Sequence, residues 1–451
     1  MEPATLLEVD KGIADNRPPQ LSLAKTFRFA ELLIIVAAAV FIVLGTYSHS
    51  FGDTADSRLS TVYALAKYGT WYIDRKPDEE PIRFEQQTID KVVVPGKGML
   101  SSKPPILPLI MTGEYLVMNK AFGLDLDSEE DTATIIRYMS MTLIGLSYIF
   151  CLVFFLKTLK LFVDSPLARV VCLFGLAFGT QLWGFATNIN NHVPAAFLVV
   201  VSIYFALGLA SQKLDPAPWR FFVFGLAAGL TPTIDMPAGI FPFAAGIYLL
   251  HRLRAMTLTW AVPGAAIPLL IHLGISIDTT GSVIPIQMHF EEFFWYEGSF
   301  WRSPQGIDIL NEPKSIYLFH MLFGRVGLFL LFPVTFLGVV AALWVWPKKE
   351  HPLRPHVLAG LAAWVLLTLY YIVKTNNYGG EAYGFRWYIV AMPVLMLMAA
   401  PMLEVVRNRW QWGLIAVMLS VSFYSAWQCS YQPWGSNHEW TTRIYGRSYI
   451  W

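Results

Sequence analysis

A carboxylate that takes a proton from a hydroxyl and cations that hold a phosphate are the two ingredients of group transfer from a phosphate-bearing donor. The stretch FGDTADSR, residues 51–58, offers both at the end of the first apolar run. Asp53 and Asp56 are the candidate bases. Either is equally well placed to cap a short helix, and the two residues from Asp56 to Arg58 suit Asp56 to that structural task. Lys103, in SSKPP, heads a second apolar stretch, where an ammonium beside the N–H groups of a helix's first turn suits phosphate. A lysine there also snorkels to lipid headgroups without any other role.

NNYGGEAYGFRW, residues 376–387, is the densest polar cluster. Its glycines allow close backbone approach, and Arg386 presents a planar fork of donors. Glu381 and Tyr383 are candidate pocket residues beside it. A belt of interfacial aromatics with turn glycines is the plain alternative. NINNHVPAAF, 188–197, adds Asn191 and His192, and FGRVG adds Arg325. HFEEFFWYEGSFW, 289–301, groups His289, Glu291, Glu292 and Glu297 without zinc-type spacing, which favours an interfacial segment over a metal site. Asp235 sits in a tight turn that accounts for it without function. GKGMLSSK, 96–103, lacks the order of a P-loop, and no G-x-G-x-x-G follows a strand. A transferred group therefore comes from a lipid-borne donor.

The elements that position these residues are apolar. Of 451 residues 55% are hydrophobic and 14% charged, against about 25% charged in an ordinary soluble domain. The charge lies between helix-length apolar runs, so an all-α polytopic membrane protein is expected. A net charge of +1 argues against nucleic acid as a partner, and three scattered cysteines argue against a disulfide framework. Eleven spans are predicted, at roughly 30–48, 134–156, 167–185, 193–211, 219–234, 236–252, 258–276, 325–346, 355–373, 387–404 and 411–428. Lys157, Lys160, Arg169, Lys213, Arg220, Arg252, Arg254, Lys348, Lys349, Arg354, Arg407 and Arg409 fall in alternate loops, which places the N-terminus inside and the C-terminus outside.

Residues 1–29, with Pro18 and Pro19, then form a cytoplasmic tail and 30–428 the transmembrane domain. Segments 49–133, 277–324 and 374–386 and the tail 429–451 lie outside. In the first of these, Leu59, Val62, Tyr63 and Ala66 share one helical face, and Gly69 ends that helix. A charged stretch follows with turn signals at Pro77, Pro81 and Pro95-Gly96. Ile106 to Phe122 reads as a helix in the membrane interface, since a span there would put the basic loops outside. Charges inside the spans are scarce and no halves repeat, which counts against the alternative, a transporter or flippase of lipid-linked or small polar substrates.

The order of these features resembles the GT-C superfamily of integral-membrane glycosyltransferases. That group includes the aminoarabinose transferases of lipid A, the protein O-mannosyltransferases and bacterial enzymes with an RgtA/B/C/D-like domain. The likeness lies in the acidic residue after the first span, the helix ending Gly69-Thr70-Trp71, Lys103-Pro104-Pro105, and YGG-x-x-YG-x-RW at 378–387. The spacing around Asp53 departs from the D-E-x-x-Y or D-x-x-R of the relatives. The resemblance implies a transfer to an acceptor hydroxyl on the outer face, with inversion and without metal or other cofactor. It implies a polyprenyl-phosphate sugar as donor and a glycan, lipid or protein as acceptor. It implies Asp53 as base with Asp56 in reserve, and Arg58 and Lys103 on the donor phosphate, where the donor fork of Arg386 is suited to join them. A bacterial inner membrane with the site facing the periplasm or exterior is the implied location.

Overall fold

The computed structural model describes residues 20–74, 83–305, 308–309, 312–435 and 440–445. Pro18, Pro19, Pro77 and Pro81 lie outside the described residues. The chain is a helical polytopic membrane protein, with seven helices among the described residues long and apolar enough to cross a membrane. These are Lys25–Gly45, Glu129–Phe162, His192–Ala210, Arg254–Thr280, Arg354–Lys374, Arg386–Leu403 and Arg409–Tyr431. The other four predicted segments are helical too, but short or broken. Residues 167–185 divide at Gly179 into Pro166–Phe178 and Gln181–Phe185, and 325–346 is interrupted at Phe332 before Pro333. Proline lacks the N–H that would continue a ladder, so the breaks near Pro333 and Pro237 follow from the covalent chemistry.

The first helix, α1 (Gln20–Gly45), turns Leu32, Leu33, Val36, Val40 and Val43 outward and is held near its middle by the buried Glu31. That carboxylate pairs with Lys160 at 2.6 Å and Arg169 at 2.9 Å. Glu404 accepts from the N–H groups of Asp164 and Ser165, and Lys213 donates to the Leu161 carbonyl. Three of the predicted inner loops, at 157–169, 213–220 and 404–409, thus touch one another at one end of the bundle. The predicted outer segments gather at the other.

Helix Pro218–Ile234 lies against Arg254–Thr280 at backbone distance. A Cβ on Gly225 would stand 1.9 Å from the Ala261 carbonyl oxygen, and one on Gly264 2.4 Å from that of Phe222. Small residues let apolar helices approach where lipid offers no hydrophobic drive. Gly225→Leu is expected to cost about 1–3 kcal/mol by overpacking, read as a lower melting midpoint in detergent; an unchanged midpoint would contradict this packing.

Outside the bundle, α2 (Asp53–Tyr68) begins one turn earlier than its apolar pattern suggested. Leu59 and Val62 are buried, and Gly69 closes the helix at φ 64°. The cap at its start is Gly52 rather than Asp56, because the chain enters with φ 65°, which suits glycine. The charged stretch is not only turns: β1 (Lys91–Val94) and β2 (Gly98–Ser101) pair antiparallel, Lys91 opposite Ser101. This small hairpin qualifies the all-α expectation. Pro95-Gly96, with Gly96 at φ 75° and the Lys97 N–H donating to the Val94 carbonyl, has the pattern of a type II turn. Val92, Val94 and Leu100 pack on Ile286, Phe293 and Phe294, joining the first predicted outer segment to the second. Helix α3 (Ile106–Phe122) has the predicted bounds and packs on α2.

Candidate active site

One cavity of about 1590 Å³ is bordered by residues from all four predicted outer segments: Asp53, Asp90 and Lys103, then Trp301 and Asp308, then Glu381 and Arg386, and finally Trp434. A site for one small ligand occupies about 300–1,000 Å³, so there is room here for two reactants.

Asp53 opens α2 at the edge of this cavity. Its Oδ1 accepts from the Ile89 N–H at 2.7 Å, and its carbonyl accepts from Thr88 Oγ1 at 2.8 Å. The carboxylate is therefore oriented by the backbone just before the hairpin. Asp56 does not border the cavity; it is 5% exposed, with no partner for Oδ1. Burial pushes its carboxyl up to about 6, the charge of Asp53 adding to this and a hydrogen bond from Ser50 opposing it. A carboxyl raised on folding destabilises the fold as pH climbs from about 4 through about 6. Asp56→Asn should then stabilise the chain by up to about 3 kcal/mol at pH 8 and by little at pH 4. Melting midpoints at the two pH values check this; an equal gain at both would refute it.

Lys103 lies just before α3 with its ammonium 2.6 Å from Asp90 Oδ2. Burial pulls that ammonium below its ordinary range; Asp90 opposes the shift, while Arg58 and Arg386 reinforce it. Arg58 is behind the wall, 2% exposed, donating to the Thr54 carbonyl at 2.6 Å and to Asn191 Oδ1 at 2.8 Å. Burial lowers its guanidinium to about 10, with Asp90 and Asp235 resisting. Arg386 borders the cavity and lies over the Trp434 ring, 4.5 Å from its centroid. A Cβ on Gly379, at φ 90°, would stand 3.3 Å from Arg386 Cγ, so glycine serves both the turn and the passage of the arginine. Arg325 borders the cavity at 4% exposure, its N–H donating to His320 Nδ1 and its carbonyl accepting from Thr441 Oγ1. Glu381 is at the exposed rim.

Asn191, His192 and Tyr383 stand behind the cavity wall. Asp235 Oδ2 is 2.6 Å from His192 Nδ1 and accepts from Asn191 Nδ2 at 3.1 Å, so a buried chain of polar groups backs Arg58. Tyr383 is fully buried, bonding Gln428 through its hydroxyl and the Pro433 carbonyl through its N–H. It braces the glycine loop rather than facing the cavity. In the aromatic stretch, His289 pairs locally with Glu292 at 2.8 Å, and Phe290, Phe294, Trp295 and Trp301 form an apolar flank of the cavity. Among the described residues, no group of three or more His, Cys, Asp and Glu is arranged to hold a metal ion.

Asp90, Asp308, Lys314 and Trp434 escaped the sequence reading. Asp308 borders the cavity, and burial raises its carboxyl to about 6, with Asp90, Asp53 and Glu381 adding and Arg386 opposing. Asp90 was within reach: the valines and the Met99-Leu100 pair either side of Pro95-Gly96 are a hairpin signal. Extending the register of Lys91 with Ser101 sets Asp90 opposite Ser102, beside Lys103, and the Ser102 N–H does donate to the Asp90 carbonyl.

No family profile matches the chain, and no curated protein does. Among solved structures, the crystal structure of ArnT from Cupriavidus metallidurans in the apo state is similar over 89% of this chain and 63% of that one, with 14% identity and a TM-score of 0.49. ArnT from the same organism bound to undecaprenyl phosphate is similar over 86% of this chain and 62% of that one, with 12% identity and a TM-score of 0.48. The chain thus spans less than two thirds of the length of those proteins. At this distance the likeness assigns no residue and no activity.

Proposed function

We propose that the chain is an inverting glycosyltransferase of the GT-C type, moving a sugar from a polyprenyl phosphate to an acceptor hydroxyl. The observation that supports this best is the convergence of Asp53, Lys103, Arg325 and Arg386 on one large cavity at one end of an apolar bundle. Asp53, not the enclosed Asp56, is the base. It takes the proton of the acceptor hydroxyl, whose oxygen attacks the anomeric carbon opposite the phosphate. The carbon–oxygen bond to phosphate breaks, its electron pair stays on the departing polyprenyl phosphate, and the configuration inverts. Lys103, Arg386 and Arg325 stabilise the growing phosphate charge, with Arg58 adding a positive field from behind. In this reading the chain's own cations supply the charge that a metal supplies elsewhere, and no cofactor takes part. The aromatic flank suits the apolar faces of a glycan, lipid or protein acceptor. In this reading the cavity opens on the outer face, the periplasmic or exterior side of a bacterial inner membrane, a side that the distribution of basic residues among the loops supports.

The test is transfer by the full chain in lipid nanodiscs, with a panel of polyprenyl-phosphate sugars and release of polyprenyl phosphate as the readout. Magnetic resonance of the product gives the anomeric configuration. Activity with nucleotide sugars alone, retention of configuration, or solute flux across proteoliposomes with no covalent product would each overturn the proposal.

A further inference from the structure

Asp90 takes no part in the proton transfer assigned to Asp53, yet it is firmly placed at the cavity through both its backbone and its carboxylate. It is 6% exposed, and its Oδ2 stands 2.6 Å from Lys103 Nζ. Its N–H donates to Thr88 Oγ1 at 3.0 Å, and its carbonyl accepts from Ser57 Oγ at 2.5 Å and from the Ser102 N–H at 3.0 Å. Ser57 Oγ is 2.6 Å from Ser101 Oγ, which accepts the Lys103 N–H at 3.2 Å. One serine network thus braces the backbone of both partners, and only their side chains are free to exchange. The same carboxylate exerts the strongest acidic influence on Arg58 and on Arg386.

Three cations brought together out of water repel one another unless an anion lies among them. With no phosphate bound, Asp90 is the anion in contact with Lys103, while Asp235, Asp308 and Asp53 act on the two arginines beside it. With phosphate bound, the ligand brings the negative charge, and Asp90 becomes a like charge beside it. We propose that Asp90 is a built-in stand-in for phosphate, holding Lys103 in the empty site and competing with the phosphate of the polyprenyl substrate and product. The lipid half of this proposal rests on the polyprenyl reading above. On arrival the phosphate takes the Lys103 ammonium from Asp90; on departure Asp90 recovers it, which keeps the spent carrier from being held too tightly. A purely positioning role predicts the opposite sign, because losing Asp90 would then loosen Lys103 and weaken binding.

The experiment measures equilibrium binding of labelled undecaprenyl phosphate to the full chain in nanodiscs, for wild type, Asp90→Asn and Asp90→Ala. Melting midpoints identify any variant that fails to fold. Removing a unit charge at hydrogen-bond range of the shared ammonium should tighten binding by about tenfold or more, tenfold being the effect when water screens the contact fully. In steady state KM and kcat should both fall, as product release slows. Weaker or unchanged binding in folded Asp90→Asn overturns the proposal and leaves the polyprenyl reading standing. Acylation of Lys103, read by mass spectrometry with and without inorganic phosphate, separates the two ideas. If neither protein binds the lipid but phosphate protects Lys103 more strongly in Asp90→Asn, the competing anion stands and the polyprenyl reading falls. If neither protein binds the lipid and phosphate protects Lys103 no better in Asp90→Asn than in wild type, the competing anion is refuted.

Discussion

Asp53→Asn should lower transfer from a polyprenyl-phosphate sugar by about 10²- to 10⁴-fold, the usual contribution of a positioned general base. Asparagine keeps an oxygen that can accept the Ile89 N–H, and the backbone bond from Thr88 does not involve the side chain. The fold and donor binding are therefore expected to survive, and the loss should fall on kcat. Asp56→Asn provides the contrast. Asp56 is enclosed and does not border the large cavity, so that variant should keep most of its activity. Rate measurements on both variants, beside lipid binding by Asp53→Asn, decide the assignment. Full activity in Asp53→Asn would remove Asp53 from the chemistry, and collapse in Asp56→Asn alone would move the base to Asp56.

Lys103→Met should cost about 10²- to 10³-fold in transfer, comparable to losing one donor from a preorganised anion site. It should also destabilise the chain, because Asp90 is left buried beside a methyl group. Removing one partner of a buried ion pair costs about 3–5 kcal/mol. Here the lysine side chain is 19% exposed and the aspartate 9%, so about 3 kcal/mol or less is expected. The double variant Lys103→Met, Asp90→Asn separates the two effects. It should recover most of the melting midpoint, since no unpaired charge remains, and recover little of the activity, since the cation is still missing. If activity returned with stability, Lys103 would be a structural partner of Asp90 and not a phosphate ligand.

Hydropathy, the helix-stopping Gly69 and the prolines before Ile106 are signals carried within a few residues, so they can be read along a line. They sufficed for the helical bundle and for the two helices read in residues 58–68 and 106–122. The cap at Gly52 was less legible, because glycine there answers a backbone angle that leaves no periodic trace. Contacts between distant segments required the folded chain. Arg58 meets Asn191 across 133 residues, and nothing in either local pattern specifies the other. Arg386 acquires its place from Trp434 in the tail, and Lys103 acquires Asp90 from the register of a hairpin. Which acid faces the cavity and which lies sealed behind it is likewise invisible to composition: Asp53 and Asp56 are the same residue type in the same turn. Burial separates them, and burial is a property of everything packed around a side chain rather than of its neighbours in sequence.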